Sequence, residues 1–133
     1  MSRAPFLFCL IAATTLLAGL ACGKTEHLQG RNLYLEHCAN CHFEDGGGLR
    51  RLMPPLSGSD YLRDQPEAVV YGIRFGMEGP MEVNGVVYDE VMPPNRELSE
   101  FQIVNIVNYI NQAWGNDYGL VTVEQTREWL ARE

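Results

Sequence analysis

Lysine is almost missing from this chain. Lys24 is the only one in 133 residues, and ten Lys and Arg face 17 Asp and Glu, for a formal charge of −7. A basic surface able to neutralise phosphates is therefore excluded, and nucleic acid with it as a partner. Histidine is also scarce, with three residues, and cysteine stops at four. No second C-x-x-C and no H-x(3–5)-H pair follows Cys38 and Cys41, so the four ligands of a structural zinc site are lacking. No strand pattern precedes those cysteines, which removes the βαβ context of a thioredoxin-like dithiol. Internal repeats and low-complexity stretches are absent too. The length leaves room for one domain.

The apolar residues are densest at the start. Residues 1–21 read as an export signal, with Arg3 in a short basic start and an apolar run from Ala4 to Ala21. Small Ala21 before Cys22 resembles a bacterial lipobox, in which that cysteine is lipidated and becomes the mature N-terminus; Gly19 stands where an aliphatic residue is usual. The reading adopted is lipid attachment at Cys22, because acylation holds a soluble domain on a membrane. An ordinary signal peptide and an uncleaved anchor compete with it, since about 18 apolar residues just span a bilayer. Cys9 reads as a buried hydrophobe. Loss of Arg3 with the leader leaves nine basic against 17 acidic residues, a charge of −8. Residues 22–26 form a polar tether, 27–115 the main domain and 116–133 a C-terminal helical extension.

Cys38-Ala39-Asn40-Cys41-His42 carries the chemistry. C-x-x-C-H is an attachment pattern for c-type haem: two thiols three residues apart lie on one side of a helical turn, where both can bond one porphyrin edge, and the next imidazole reaches the iron. A plain Cys38–Cys41 disulfide is the rival in an exported protein, and His42 directly after Cys41 decides for haem. One copy of the motif predicts one haem. Covalent haem and a signal both put the domain outside the cytoplasm.

Around the motif the pattern is helical. A first helix is predicted over 28–41, with Gly30, Leu33, Tyr34 and the cysteines on its inward stripe. A glycine- and proline-rich loop follows over 43–58. A short helix is expected over 66–75, with Pro66 in its first turn, Gly76 as its stop and Val69, Val70, Ile73 and Tyr71 as apolar residues. Asn84-Gly85 between Glu82-Val83 and Val86-Val87 signals a small hairpin. Ser99 with Gln102 forms a capping box, Leu98 staples against Ile103, and Ile103, Ile106, Val107, Ile110 and Trp114 repeat at helical spacing. Thr122 with Gln125 caps a last helix, an appendage with Val123, Trp129 and Leu130 as its apolar contacts.

An iron that shuttles electrons without binding substrate needs a sixth ligand. The candidates are Met53, Met77, Met81, Met92, His27 and His37. Methionine in a small protein is ordinarily a gap-filler. Met92 departs from that by context, because Val91-Met92-Pro93-Pro94 is held extended by its prolines just before a capped helix. His37, directly before Cys38, is expected to point away from the thioether side, and His27 to lie exposed near the tether.

Taken in order, Gly30, Tyr34, the Cys38–His42 motif, Met92-Pro93-Pro94 and the helix bearing Ile106 and Tyr109 resemble a class I cytochrome c over roughly residues 26–114. The resemblance implies an all-α cytochrome c fold, three to four helices around one covalently bound haem c, with a short β-hairpin loop and the C-terminal extension. It implies that Gly30 lets the first and last family helices cross closely against Tyr109 and Ile106. It implies His42 and Met92 as axial ligands, and Pro54 as the carbonyl that accepts a hydrogen bond from His42 and raises its basicity. Phe43 stands where many relatives have a small residue, and the lysine ring of mitochondrial types is lacking. The function implied is a monohaem electron carrier, not an enzyme, working by outer-sphere transfer near Ala39, Asn40 and Cys41 with a membrane oxidase, reductase or dehydrogenase. It would be a monomer, tethered to a membrane facing the periplasm or cell exterior, or free in the periplasm. The competing reading is a gas-binding or sensor module with a displaceable Met92. A peroxidase-like enzyme is weaker, with Arg74 its only candidate distal cation.

Overall fold

A computed structural model describes residues 27–132. The leader, Cys9, Cys22 and residues 22–26 lie outside the described residues. The elements run α1 (Leu28–His37), α2 (Ala39–His42), α3 (Asp60–Asp64), α4 (Pro66–Phe75), β1 (Met81–Val83), β2 (Val86–Tyr88), α5 (Glu100–Gln112) and α6 (Val123–Leu130). The architecture is helical, with one antiparallel ribbon in which Glu82 pairs with Val87 across the Asn84-Gly85 turn.

Local chemistry sets most helix ends. Ser99 Oγ accepts from Gln102 N while Gln102 Oε1 accepts from Ser99 N, and Thr122 and Gln125 repeat the arrangement on α6. These boxes satisfy N-terminal N–H groups that a helix leaves unpaired. Pro66 opens α4 and Gly76 (φ 86°) ends it. The core gathers Tyr34 from α1, Val69, Val70 and Ile73 from α4, and Ile103, Ile106, Val107 and Ile110 from α5, with Leu98 beneath the α5 cap.

The α1–α5 crossing explains Gly30. A Cβ there would lie 2.8 Å from both Asn105 C and Tyr109 Cβ, and closer still to the Asn105 carbonyl oxygen. Only a hydrogen fits between the helices.

Several elements differ from the sequence reading. The first helix does not run unbroken to Cys41: Cys38 (φ −121°) breaks it, and one further turn carries Ala39–His42. Trp114 is not on α5. The helix stops at Gln112 and Trp114 adopts φ 55°, where its ring packs against Tyr34 and Tyr109 with centroids 5.2 and 5.6 Å away. α3 was not foreseen, although Ser59 caps it by accepting from Leu62 N. Tyr71 faces outward and stacks on Phe75. The last helix is no loose appendage: Thr126 and Val121 are buried, and Arg127 pairs with Glu100 of α5 at 3.1 Å.

Candidate haem cleft

The break at Cys38 builds the attachment turn. Its carbonyl accepts from both Cys41 N (3.1 Å) and His42 N (3.0 Å), winding the C-x-x-C-H residues into a single tight turn. The two thiols are not joined to each other and both line a cleft of about 150 Å³ that also receives His42 and Met92. Burial pushes the Cys38 thiol up to about 12, with Cys41 adding to the shift. Among the described residues no group of three or more His, Cys, Asp or Glu side chains converges as a bare metal ion would require.

His42 is buried, and its Nδ1 lies 3.0 Å from the Pro54 carbonyl oxygen. A carbonyl only accepts, so Nδ1 carries the hydrogen and the neutral ring keeps its lone pair on Nε2. Burial pushes the His42 pKa below its ordinary value and the Pro54 bond partly opposes that. The neutral form is the one an iron can use.

The loop that presents Pro54 is tied at every step. Leu49 and Met53 exchange backbone bonds of 3.0 and 2.8 Å, and Gly48 N donates to His42 O. Gly48 (φ 62°) must be glycine, since a Cβ would sit 2.6 Å from Pro54 O. Leu56 N and Ser57 N both donate to Gly46 O, and the Trp114 ring covers Gly46 closely enough that a Cβ there would be 2.6 Å from it. Tyr34 Oη donates to Phe43 O (2.6 Å) and Trp114 Nε1 to Glu44 O (2.9 Å), so the residues just after His42 are clamped by the α1–α5 core. Buried Asn116 donates to Leu56 O and Ile110 O and accepts from Gly58 N, fastening the far end of the loop to α5. The sequence reading missed the clamp and Asn116, whose signal is long-range.

Met92 is moored separately. Its N and O exchange bonds of 3.0 Å with O and N of Met77, and Asn95 N donates to Ile73 O at the end of α4. The other candidates divide by place. Met77 lies in the hollow left by Gly72, where a Cβ would be 2.9 Å from its Sδ, and with Met81 it lines a separate open groove of about 590 Å³ that contains no thiol or imidazole. Met53 lines the cleft but adjoins Pro54, on the Nδ1 side of His42. His27 caps α1. His37, the last residue of α1, borders the cleft, and its Nε2 lies 3.9 Å from Glu36 Oε1. Arg74 donates to Arg96 O and is not part of the cleft wall.

The cleft brings the two thiols together with the imidazoles of His37 and His42 and the thioethers of Met53 and Met92, and these residues fit a covalently attached haem c. The family model described as cytochrome c matches residues 28–114. Over 110 residues the chain is 32% identical to cytochrome c-552 of Thermus thermophilus, covering 80% of this chain and 72% of that protein. Over 100 residues it is 36% identical to the cytochrome c subunit of the quinone alcohol dehydrogenase of Gluconacetobacter polyoxogenes, 73% of this chain and 21% of that subunit. Over 90 residues it is 29% identical to the gluconate 2-dehydrogenase cytochrome c subunit of Pantoea cypripedii, 65% and 20% respectively. The chain thus spans about a fifth of the length of the dehydrogenase subunits. With the attachment turn, the buried imidazole and these relatives together, the chain belongs to the cytochrome c family, as a monohaem class I cytochrome that binds haem c covalently.

Proposed function

We propose that this cytochrome passes single electrons by outer-sphere transfer through an iron held by His42 and Met92, with Cys38 and Cys41 as the thioether anchors. The observation that carries this reading is the pairing in one cleft of an imidazole oriented by Pro54 with a methionine fixed by the Met77 ladder. Bound there, haem supplies a one-electron iron couple, and a Met/His ligand pair raises its potential. The chain's own part is to fix both ligands and exclude water. Pro54 holds the Nδ1 hydrogen of His42 and thereby presents Nε2. Met77 holds the Met92 backbone from both sides. With both His42 and Met92 holding it, the iron would have no position open to a substrate, which would separate a carrier from a gas sensor.

The proposed partners are redox proteins of membrane respiratory chains, a dehydrogenase above the oxidase and reductase alternatives, because the relatives include dehydrogenase cytochrome subunits. Lipid attachment at Cys22 of an exported chain would keep the domain beside such partners. No helix among the described residues is long and apolar enough to cross a membrane. Carbon monoxide added to the reduced holoprotein tests the carrier reading. An unchanged spectrum supports it, and a carbon monoxide adduct would show Met92 to be displaceable and favour the sensor.

A further inference from the structure

A glycine inside a helix costs stability, and Gly72, buried in the last turns of α4, asks for a reason. Its backbone is regular helix, so no left-handed conformation requires it. The reason is Met77. A Cβ at Gly72 would lie 2.7 Å from Met77 Cγ and 2.9 Å from its Sδ, and nearer still to Cε, so the thioether side chain fills the space an alanine methyl would need. Helix α4 ends at Phe75, Gly76 (φ 86°) turns the backbone away, and Met77 then folds its side chain back over the helix it has just left.

The backbone of the same residue is the rung beside Met92, exchanging 3.0 Å bonds with its N and O. The residues flanking Met92 hold it weakly. Pro93 and Pro94 have no N–H to donate and both are exposed, and Val91 is 62% exposed. The next ties to α4, from Asn95 N to Ile73 O and from Arg74 to Arg96 O, lie beyond the prolines. Two backbone bonds join Met77 to Met92 but leave the pair free to move together, and Gly76, with its wide backbone freedom, is a poor tether for it. The side chain seated on Gly72 is what ties the pair to the core helix that carries Val69, Val70 and Ile73.

We propose that Met77 is a positioning residue for the electron carrier: its side chain, seated on Gly72, locks the rung that holds Met92 to the iron, and so sets how readily that side of the iron opens to a competing ligand. The proposal rests on the reading of Met92 as an axial ligand. Met77 itself never touches the iron in this arrangement, since its side chain faces α4 and the separate open groove.

Displacement of Met92 by cyanide in the oxidised, haem-loaded protein tests this, followed as loss of the sulfur-to-iron band, with thermal melts of the same samples. Met77→Ala should speed the displacement by about tenfold at saturating cyanide, the equivalent of about 1.4 kcal/mol, which is within what burial of one side chain supplies. Met77→Leu refills the hollow and should return the parent rate. Gly72→Ala, whose methyl group expels the Met77 side chain, should be as fast as Met77→Ala even though alanine favours the helix. Combining Gly72→Ala with Met77→Ala should be no faster than either alone, because no side chain is left to expel. Gly30→Ala disturbs the α1–α5 crossing instead, and should melt lower while keeping the parent rate. A parent rate in both Met77→Ala and Gly72→Ala, or an equal acceleration in Gly30→Ala, would overturn the proposal while the band persists. A parent without the band, or a band that survives Met92→Ala, would overturn the ligand reading itself.

Discussion

Replacing Gly30 with alanine puts a methyl group into the α1–α5 crossing. The new Cβ would lie 2.8 Å from Tyr109 Cβ and from Asn105 C, and nearer still to the Asn105 oxygen. Reaching ordinary contact at about 3.4 Å asks the helices to part by roughly 0.6 Å at Tyr109 and by more at the carbonyl, which belongs to backbone and has no rotamer to yield. Overpacking of this kind costs about 1–3 kcal/mol, and the obstruction by backbone places Gly30 at the upper end. The intrinsic helix preference of alanine over glycine returns about 1 kcal/mol. The net loss is then about 2 kcal/mol, or about 8 °C in Tm for a domain of this size. Circular dichroism melts of the holoprotein measure it, with Gly119→Ala as control because nothing lies within 4 Å of a Cβ there. The control should melt within about 0.5 kcal/mol of the parent. An unchanged or raised Tm for Gly30→Ala would refute the close-crossing argument.

Other outcomes follow from the same geometry. Met92→Ala should lose the sulfur-to-iron charge-transfer band and retain covalently attached haem, whereas Met77→Leu and Met53→Leu should keep the band; visible spectra and a denaturing gel stained for haem decide. Asn116→Ala leaves Gly58 N, Leu56 O and Ile110 O without their partner, and should cost about 2–4 kcal/mol in denaturant unfolding. In the haem-free protein, where no iron occupies Nε2, burial depresses the His42 pKa and the unfolded chain takes up the proton first. Stability of that form tied to His42 is therefore full above the unfolded value near 6.5 and falls as acid is added below it, which unfolding free energies measured across pH will show. Cys22→Ala should release the full-length protein from membranes on fractionation, and continued attachment would argue for an uncleaved anchor.

The parts of this molecule legible in its sequence are those written in short-range chemistry. Ser99 with Gln102 and Thr122 with Gln125 announce their helices because the capping bonds join residues three apart. Asn84-Gly85 likewise specifies its hairpin locally. The attachment motif is legible for the same reason, since its five residues form one turn. What the sequence hides is long-range. Trp114 continues the α5 stripe in sequence, but its N–H reaches Glu44 O and its ring covers Gly46, and that draws it off the helix. Cys38 breaks α1 although nothing in its identity forbids a helix, and the break sets the attachment residues apart as a turn of their own. The choice of Met92 over Met77 looks like proline context in the sequence. In the fold it accompanies a separation: the Met77 side chain lies against Gly72 while Met92 lines the cleft.

The most direct test of the account is a reductive titration of the haem-loaded protein, followed in the visible and near-infrared, with carbon monoxide added at the reduced end. Coordination by His42 and Met92 predicts a reversible one-electron change, a low-spin c-type spectrum, a sulfur-to-iron band present only in the oxidised form, and no response to carbon monoxide. A high-spin spectrum, or a carbon monoxide adduct, would contradict it.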